Sequence, residues 1–291
     1  MPQSINYERK RKFLSFAMTV PALVFLAVFF VYPVLDFVWL SFFPEDGSFT
    51  LEYYQRIADP ELPYIRVLIE TFWISIATTI ACIALGYPYA YAIHKSKSVW
   101  VKTLLLGLVL LPFWTSLLVR TIAFMQLLQN RGMVNEVLIS MGLIDEPIRM
   151  VRNQLGVIIG MVYMLLPYFL LPLHGVMDRI DRRLEPSARS LGASRLRAFA
   201  STVLPLSLPG VTVGASLVFL LSLGYFITPA LLGGGKVQMI SMLIEDQISP
   251  ALNYPFAAAL SVVLIVATAV FGLATWGVAK LLERVTGQGA V

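Results

Sequence analysis

The sequence predicts an all-α membrane protein of six transmembrane helices, with the N-terminus and the C-terminus both in the cytoplasm. Its 291 residues are 58% hydrophobic and 13% charged, whereas soluble domains carry about 25% charged residues. The apolar residues stand in six long runs, each long enough for a helix to cross the hydrocarbon of a bilayer. Because the backbone in lipid must satisfy its own hydrogen bonds, runs of this length indicate helices.

Each predicted span contains at most one charged residue. The spans cover residues 16–42, 67–93, 103–128, 154–173, 206–231 and 254–281. Asp36, Glu70 and Arg120 are the lone charges of the first three spans, and Lys280 stands at the end of the sixth. The first apolar run is far longer than the apolar core of a signal peptide, so we expect it to remain as an uncleaved span.

Charge placement predicts the orientation. With the N-terminus inside, the cytoplasmic segments hold 15 of the 22 basic residues and only 5 of the 17 acidic residues. Cytoplasmic loops favour lysine and arginine, so this topology is preferred over its inverse. The net charge of +5 therefore reflects the orientation of the protein in the membrane. The expected partner is the lipid bilayer, and the charge does not predict binding to nucleic acid.

The segments between the spans are unequal. Residues 41–66 are long enough for a small helix on the outside. Residues 128–153 are amphipathic and contain Gly132, Gly142 and Pro147 as helix breakers. The first of these segments therefore predicts a small helix on the outside.

The longest polar stretch on the predicted cytoplasmic side, residues 174–202, has the pattern of two short helices joined by a glycine turn. Pro186 fits the first turn of one helix, Gly192 fits its end, and Ser194 fits the N-cap of the next helix. A basic loop indicates only that the loop stays inside, but this build predicts a hairpin that contacts a cytoplasmic partner. Apolar contact points stand at Leu184, Leu191, Leu196 and Phe199.

The same stretch resembles a known family. The segment Glu185-Pro-Ser-Ala-Arg-Ser-Leu-Gly192, followed by eleven residues and then Leu204-Pro205, resembles the "EAA" loop of permease subunits of bacterial ABC importers. The third span, which reads LPFWTSLLVRT over residues 111–121, is similar to the spermidine/putrescine permeases. Segments 142–147, 160–167, 204–210 and 228–234 are similar to the same permeases, so the resemblance covers nearly the whole chain in one order.

The resemblance implies the type I ABC importer permease fold. It implies a single permease domain over residues 1–291, with a cytoplasmic coupling loop at 174–204, in a bacterial inner membrane. It also implies the partners: two ABC ATPase subunits, a second permease subunit that is a different but related chain, and a periplasmic substrate-binding protein. The solute is then small and organic, most plausibly polyamine-like. The family pattern assigns coupling to the ATPase to Glu185, Ser187, Ala188, Gly192, Ala193, Leu204 and Pro205.

Two positions depart from the family pattern. Pro186 stands where the loop has its glutamate, and Glu185 lies one residue earlier. Tyr225 stands where polyamine permeases carry an acidic residue before the Thr228-Pro229 pair. The missing carboxylate leaves open an importer of the same class for another solute, such as an amino acid derivative or another organic ion.

Motifs of other function classes are not recognisable. Gly233 to Lys236 is no phosphate-binding loop, because Ala230 replaces its first glycine and Val237 its hydroxyl residue. We therefore expect this chain to be no enzyme and to bind no cofactor, with ATP hydrolysed by a separate subunit. An intramembrane enzyme would need a nucleophile, dyad or metal cluster in the bilayer, and a channel without a motor would not need the inner hairpin.

The cysteine and the histidines do not predict a metal site. Cys82 is the only cysteine, which excludes an intrachain disulfide and a zinc site built from several cysteines. His94 and His174 stand at the inner ends of separate spans, which is typical of interfacial histidines. We expect no bound metal.

The lone charges predict a candidate pathway at the outer end of the spans. Arg120 lies 18 residues past Lys102, about 27 Å along an ideal helix, and Asp36 and Glu70 also fall near the outer interface. These charges either snorkel and pack between subunits, or form a vestibule in which Asp36 and Glu70 meet a cationic solute. Aromatic side chains in spans usually pack, but cation–π faces are the other interpretation. The candidate set is Asp36, Glu70, Trp73, Trp114, Arg120, Tyr163 and Tyr225.

Small residues and prolines predict how the spans pack and bend. The pairs Gly156/Gly160 and Gly210/Gly214 have the spacing that allows close helix approach, within the bundle or between two permeases. Prolines free backbone groups and kink or start helices. Such positions in the spans are Pro88, Pro112, Pro167 and Pro209.

Overall fold

The computed structural model describes residues 19–44 and 47–286, with side chains as far as residue 274. The predicted basic segment 9–12, the predicted start of the first span at residue 16, and the side chains of Lys280 and Arg284 lie outside the described residues. The described residues are helical and contain no strand. In chain order the helices are α1 (Thr19–Phe42), α2 (Glu52–Ala58), α3 (Tyr64–Lys95), α4 (Val99–Leu110), α5 (Leu117–Leu128), α6 (Met133–Ser140), α7 (Gln154–Met177), α8 (Leu184–Ser190), α9 (Arg195–Leu223), α10 (Ile227–Leu232), α11 (Ile240–Ile248) and α12 (Tyr254–Thr286).

The predicted spans correspond to five continuous helices and one bent pair. Helices α1, α3, α7, α9 and α12 are long and apolar enough to cross a membrane. The segments Val99–Trp114 and Leu117–Ser140 pass the same test together and meet at 112°. The all-α prediction is confirmed, as is the predicted small helix between the first two spans, α2. The amphipathic segment 128–153 contains a second short helix, α6.

The third span is not the straight helix predicted for residues 103–128. A 3₁₀ turn at Leu111–Trp114 follows α4, and α5 begins only at Leu117. Pro112 cannot donate a backbone hydrogen bond, so it interrupts the α-helical ladder at this point. The amide and hydroxyl of Thr115 donate to that carbonyl at 3.2 and 2.8 Å. The height of about 27 Å inferred for Arg120 from a straight helix is therefore wrong.

The fifth span is also shifted from its predicted limits of 206–231. It ends at Leu223, where Gly224 interrupts the helix, and α10 is a separate short helix. At its other end α9 begins at Arg195, because a π-helical turn at Phe199–Val203 joins the second hairpin helix directly to the span. The second hairpin helix and the fifth span therefore form one continuous helix.

The described chain divides into two compact units. In the unit Met1–Leu62 with Leu243–Val291, α12 packs along α1, and Arg56 of α2 lies 4.5 Å above the ring of Phe256. In the unit Pro63–Met242, α3, α7 and α9 pack against one another and form the main apolar core. A single domain over residues 1–291 stays a prediction.

Glycines set the close packing of α3, α7 and α9 around Phe169, whose side chain is fully buried. A Cβ on Gly86 would lie 2.5 Å from the Phe169 ring, and one on Gly214 would lie 2.7 Å from its carbonyl oxygen. A Cβ on Gly210 would lie 3.0 Å from the Leu173 Cα, and one on Gly160 would lie 2.8 Å from the side chains of Leu232 and Thr228 on α10. The predicted close helix approach within the bundle is confirmed for Gly160, Gly210 and Gly214, whereas Gly156 lies against the backbone of Met150, just before its own helix.

Replacing Gly214 with valine is expected to destabilise the protein by about 1–3 kcal/mol, because α9 must move away from the α7 backbone. Gly175 on α7 is the matched control, since a Cβ there meets nothing within 4 Å. We expect Gly175→Val to melt within a few degrees of the wild type in detergent, and Gly214→Val to melt well below it. Equal melting temperatures for both variants would contradict this packing account.

Candidate functional site

The predicted hairpin in residues 174–204 is present, and Gly192 forms its turn. Gly192 has φ +90°, a left-handed conformation that favours glycine. Its amide donates to the carbonyl of Arg189 at 3.0 Å, and the amide of Ala193 donates to that of Ala188 at 3.1 Å. These two bonds are the Schellman pattern that ends a helix. The predicted end of the first hairpin helix at Gly192 is confirmed.

The second helix begins at the predicted cap. The Ser194 hydroxyl accepts a hydrogen bond from the amide of Arg197 at 3.3 Å. Pro186 occupies the first turn of α8, where its missing N–H costs no helical bond. On either side of the turn, the side chains of Leu191 and Leu196 are 89% and 79% exposed. The hairpin therefore presents a rigid turn with apolar tips.

Glu185 points away from these tips and is buried against α3. It is 7% exposed, and its carboxylate accepts hydrogen bonds from the Tyr91 hydroxyl and from the Lys95 ammonium, both at 2.8 Å. Tyr91 and Lys95 are one helical turn apart, so both reach the same carboxylate. This three-residue contact, which we call the clamp, ties α8 to the end of α3. The placement of the glutamate one residue earlier than in the family pattern is accounted for by this contact.

The charge state of the clamp follows from its surroundings. Burial by itself would raise the pKa of Glu185, but the hydrogen bonds from Lys95 and Tyr91 outweigh burial and hold the pKa below its ordinary value of 4.5. The clamp therefore carries its full charge at neutral pH.

Acidification is expected to remove the stability that the clamp contributes. Because the pKa of Glu185 is lower in the folded protein, this contribution is complete above about pH 4.5 and is lost as the pH falls through the folded value. We expect the melting temperature of the wild type in detergent to exceed that of Glu185→Gln at pH 7, with the gap closing below pH 4.5. A gap that does not depend on pH would contradict this assignment.

Further contacts bind the hairpin to the same face of α3. The ring of Phe199 meets the rings of Tyr87 and Tyr91 edge-on, with centroids 5.9 and 5.0 Å apart. The Tyr87 hydroxyl lies 2.8 Å from the Ser207 hydroxyl on α9. Tyr87, Tyr91 and Lys95 recur every four residues, and that spacing is the signal from which the sequence could have indicated a shared face.

Two polar contacts connect the start of the loop to the α3–α4 connection. The Arg182 guanidinium donates to the carbonyl of Ser96 at 2.9 Å, and the Lys102 ammonium lies 3.6 Å from the Asp178 carboxylate. The hairpin is therefore held at several points along its length.

The remaining coupling residues lie on α8, in the turn and at the start of the fifth span. Ser187 is exposed and Ala188 half-buried on α8, and Ala193 lies in the turn. Leu204 and Pro205 follow the π-helical turn within α9. Their contact with an ATPase stays a prediction.

The candidate pathway residues lie in both compact units. Asp36 is exposed on α1 in the first unit, and the other six residues belong to the second. Glu70 is half-buried on α3, and Trp73, one turn later on the same helix, is 57% exposed. Trp114 is 81% exposed at the break of the third span. A vestibule formed by Asp36 and Glu70 stays a prediction.

The structure gives Arg120 a contact that the sequence did not suggest. Its guanidinium donates to the carbonyl of Pro112 at 2.9 Å, so it supports the break of the third span. The carbonyl of Tyr225 accepts a hydrogen bond from the Ser241 hydroxyl at 2.8 Å. Tyr163 stacks on Phe124 with ring centroids 4.4 Å apart. Whether these side chains contact solute stays a prediction.

The helices, the hairpin and the broken third span can be compared with known proteins. The model of the family described as "Binding-protein-dependent transport system inner membrane component" matches residues 83–286, which include the hairpin. The chain belongs to this family. The permease is therefore a multi-pass membrane protein of a binding-protein-dependent transport system.

The permease is similar to curated relatives along nearly its whole length. It is 36% identical over 273 residues to the spermidine/putrescine transport system permease protein PotB of Escherichia coli (strain K12), covering 92% of this chain and 98% of that protein. The same identity holds over 274 residues for PotB of Haemophilus influenzae, covering 92% and 95%. The resemblance stated from the motifs is confirmed.

A solved structure supports the fold. A chain in the crystal structure of a bacterial ABC transporter involved in the import of the acidic polysaccharide alginate superposes with a TM-score of 0.68 and 19% identity, covering 97% of this chain and 98% of that chain. At this identity the likeness concerns the fold alone. The predicted ABC importer permease fold is confirmed.

Proposed function

We propose that this permease is a pathway-forming subunit of an ATP-driven importer for polyamines of the spermidine/putrescine class. The solute class is supported by 36% identity to PotB over 92% of the chain. The ATP-driven mechanism is supported by a single geometric observation: a hairpin with exposed apolar tips is clamped to α3 through Glu185.

The hairpin has the mechanical properties that coupling needs. Two ATPase subunits would dock on the turn at Gly192, where Leu191 and Leu196 offer apolar surface and the neighbouring arginines offer charge. Closure of the ATPases on ATP would move the hairpin as a rigid body. The hairpin continues into α9 and is bound to α3 through the clamp. Its motion would therefore be transmitted to α3 and α9, two of the three packed core helices. This chain itself would hydrolyse no ATP and bind no cofactor.

The proposed assembly has the hairpin in the cytoplasm. The excess of lysine and arginine on the predicted inner segments supports this orientation, in which both termini lie on the cytoplasmic side of the bacterial inner membrane. A second permease subunit, expected to be a different but related chain, would complete the pathway. A periplasmic substrate-binding protein would deliver solute to the opposite face, where Asp36, Glu70 and the aromatic side chains of the candidate set would meet it.

A different solute within the same transporter class is the second candidate. The residue at position 225 supports it, because Tyr225 stands where polyamine permeases carry an acid. A pathway without that carboxylate attracts a polycation less strongly and would suit an amino acid derivative or another organic ion. A channel without a motor, or an intramembrane enzyme, would leave the clamped hairpin without a role, and copurification without any ATPase would favour the channel.

Uptake measurements decide between these solutes. The permease, expressed with its ATPase, second permease and binding protein in cells that lack polyamine import, is expected to confer uptake of radiolabelled spermidine or putrescine. A matched strain with the ATPase catalytic glutamate replaced would show that uptake depends on ATP. If uptake requires the complete system but a labelled amino acid derivative or organic anion is imported in place of the polyamines, the second candidate replaces the first.

A further inference from the structure

Two turns of the chain meet in front of α7, at the end of that helix opposite to the hairpin. The first turn covers residues 149–153, directly before α7, and the second covers residues 233–236, directly after α10. The amide of Arg152 donates to the carbonyl of Leu232 at 2.7 Å, and a Cβ on Gly234 would lie 2.5 Å from the Cγ of Arg152. The loop that contains the hairpin begins where α7 ends, 24 residues or about 36 Å further along.

Arg152 has a backbone conformation that favours glycine. Its φ is +63°, and in the second turn Gly234 and Gly235 have φ +57° and +76°. This left-handed region costs free energy for an arginine and almost none for a glycine. The first turn is fixed where it enters α7, because the Asn153 side chain accepts a hydrogen bond from the amide of Gly156 at 2.8 Å. Backbone strain of this kind is concentrated at functional sites, so an arginine at this position indicates a use for its side chain.

Three exposed cations stand on these turns. Arg149 and Arg152 belong to the first turn and Lys236 to the second, and we call the three the basic patch. Among the described residues, none of these side chains has an ion pair or a hydrogen bond, although Asp145 and Glu146 precede Arg149 by four and three residues. Unpaired exposed cations suit an acidic protein surface. They repel a cationic solute, so the basic patch is no part of a pathway for polyamines.

We propose that the basic patch binds an acidic surface of the substrate-binding protein. This inference rests on the proposed function, which places the ATPases at the hairpin and the binding protein on the opposite face. The chain belongs to a binding-protein-dependent family, and the basic patch lies at the end of α7 that is remote from the hairpin. Because the turn of Arg152 is fixed, its guanidinium is presented without the ordering of a loop, and such preorganisation favours binding.

The affinity of the purified, fluorescently labelled binding protein for the complete transporter in nanodiscs tests the proposal. We expect Arg152→Glu to weaken this binding on the order of tenfold, and the affinity of the variant to depend less on salt than that of the wild type. Arg66→Glu is the matched control. Arg66 is also exposed and belongs to the same compact unit, and it stands in the first turn of α3, whose other end contacts the hairpin. We expect Arg66→Glu to bind like the wild type.

A second variant, Arg152→Gly, separates docking from folding. It relieves the strained backbone and removes the guanidinium, so we expect a melting temperature in detergent at or above that of the wild type, together with weaker binding. A melting temperature well below that of the wild type would overturn the proposal, because it would show that the arginine serves stability.

Three further outcomes count against the basic patch. Unchanged affinity in Arg152→Glu would overturn the proposal, and an equal loss in Arg66→Glu would show a diffuse effect of charge. Normal docking by Arg152→Glu with loss of uptake would show that Arg152 contacts solute. The binding measurement also distinguishes this inference from the proposed function. A wild-type transporter that does not bind the binding protein contradicts both, whereas wild-type binding that survives in both Arg152 variants removes this inference alone.

Discussion

Replacing Gly192 with valine is expected to abolish solute uptake and the coupling of ATP hydrolysis to solute, while the protein still inserts into the membrane. A β-branched residue at φ +90° costs about 1–3 kcal/mol of strain. A Cβ at this position meets nothing within 4 Å, so the cost comes from the backbone and not from a clash. The Schellman turn would open and displace Leu191 and Leu196, the proposed contacts with the ATPase.

Gly142 supplies a matched control for this prediction. It has φ +67°, it also has open space around its Cβ, and it ends α6 with the same two hydrogen bonds, from Gly142 to Ile139 and from Leu143 to Leu138. Gly142→Val therefore carries equal strain at a turn outside the hairpin, and we expect it to retain most uptake. Gly192→Asn should also retain uptake, because asparagine tolerates the left-handed region.

The measurements are uptake in whole cells, ATPase activity of the purified complex and the amount of protein in the membrane. Normal uptake by Gly192→Val would overturn the coupling assignment of the hairpin. Equal loss of uptake in Gly142→Val and Gly192→Val would point to a folding defect instead.

Breaking the clamp is expected to uncouple the hairpin from α3. Glu185→Ala leaves Lys95 and Tyr91 without their acceptor, and the ring contacts of Phe199 become the main link to α3. We expect uptake to fall severalfold while the ATPase still binds and hydrolyses ATP without response to solute. Tyr91→Phe should have a small effect, because it removes one hydrogen bond and keeps the ring.

A double-mutant cycle separates the clamp from a general loss of charge. The Glu185 side chain is 9% exposed and that of Lys95 48%, so we expect a coupling energy of about 1 kcal/mol in melting experiments. The Lys102–Asp178 pair is the matched control, since its atoms are 3.6 Å apart and Asp178 is 60% exposed. That pair should give a value near zero. Equal coupling energies for both pairs would remove the special role of the clamp.

The prediction of the hairpin from sequence succeeded because its signals are local. Gly192 and Ser194 act on hydrogen bonds within five residues of themselves, so their positions predict the turn and the cap without knowledge of the fold. Whether the third span is straight could not be predicted from local signals in the same way. The run 103–128 is mainly apolar, but Pro112 interrupts the helix, and at the break the Pro112 carbonyl accepts hydrogen bonds from Thr115 and Arg120.

The partner of Glu185 could not be read from the loop. Tyr91 and Lys95 precede it by 94 and 90 residues, and only the packing of α3 against α7 and α9 brings them to the carboxylate. The family pattern places a glutamate one residue later, at the position of Pro186. A shift of one residue on a helix turns a side chain by about 100°, and in this protein Glu185 faces α3.

The sequence by itself determined that this protein crosses the membrane several times and carries a helical hairpin, because apolar run length, charge placement and turn residues act through local physics. Its motifs also determined the family. Only the tertiary structure decided that the third span is bent, that Phe169 packs between Gly86 and Gly214, and that Glu185 forms an ion pair with Lys95 of α3. These features depend on contacts between segments far apart in the chain, and such contacts leave no signal in local spacing.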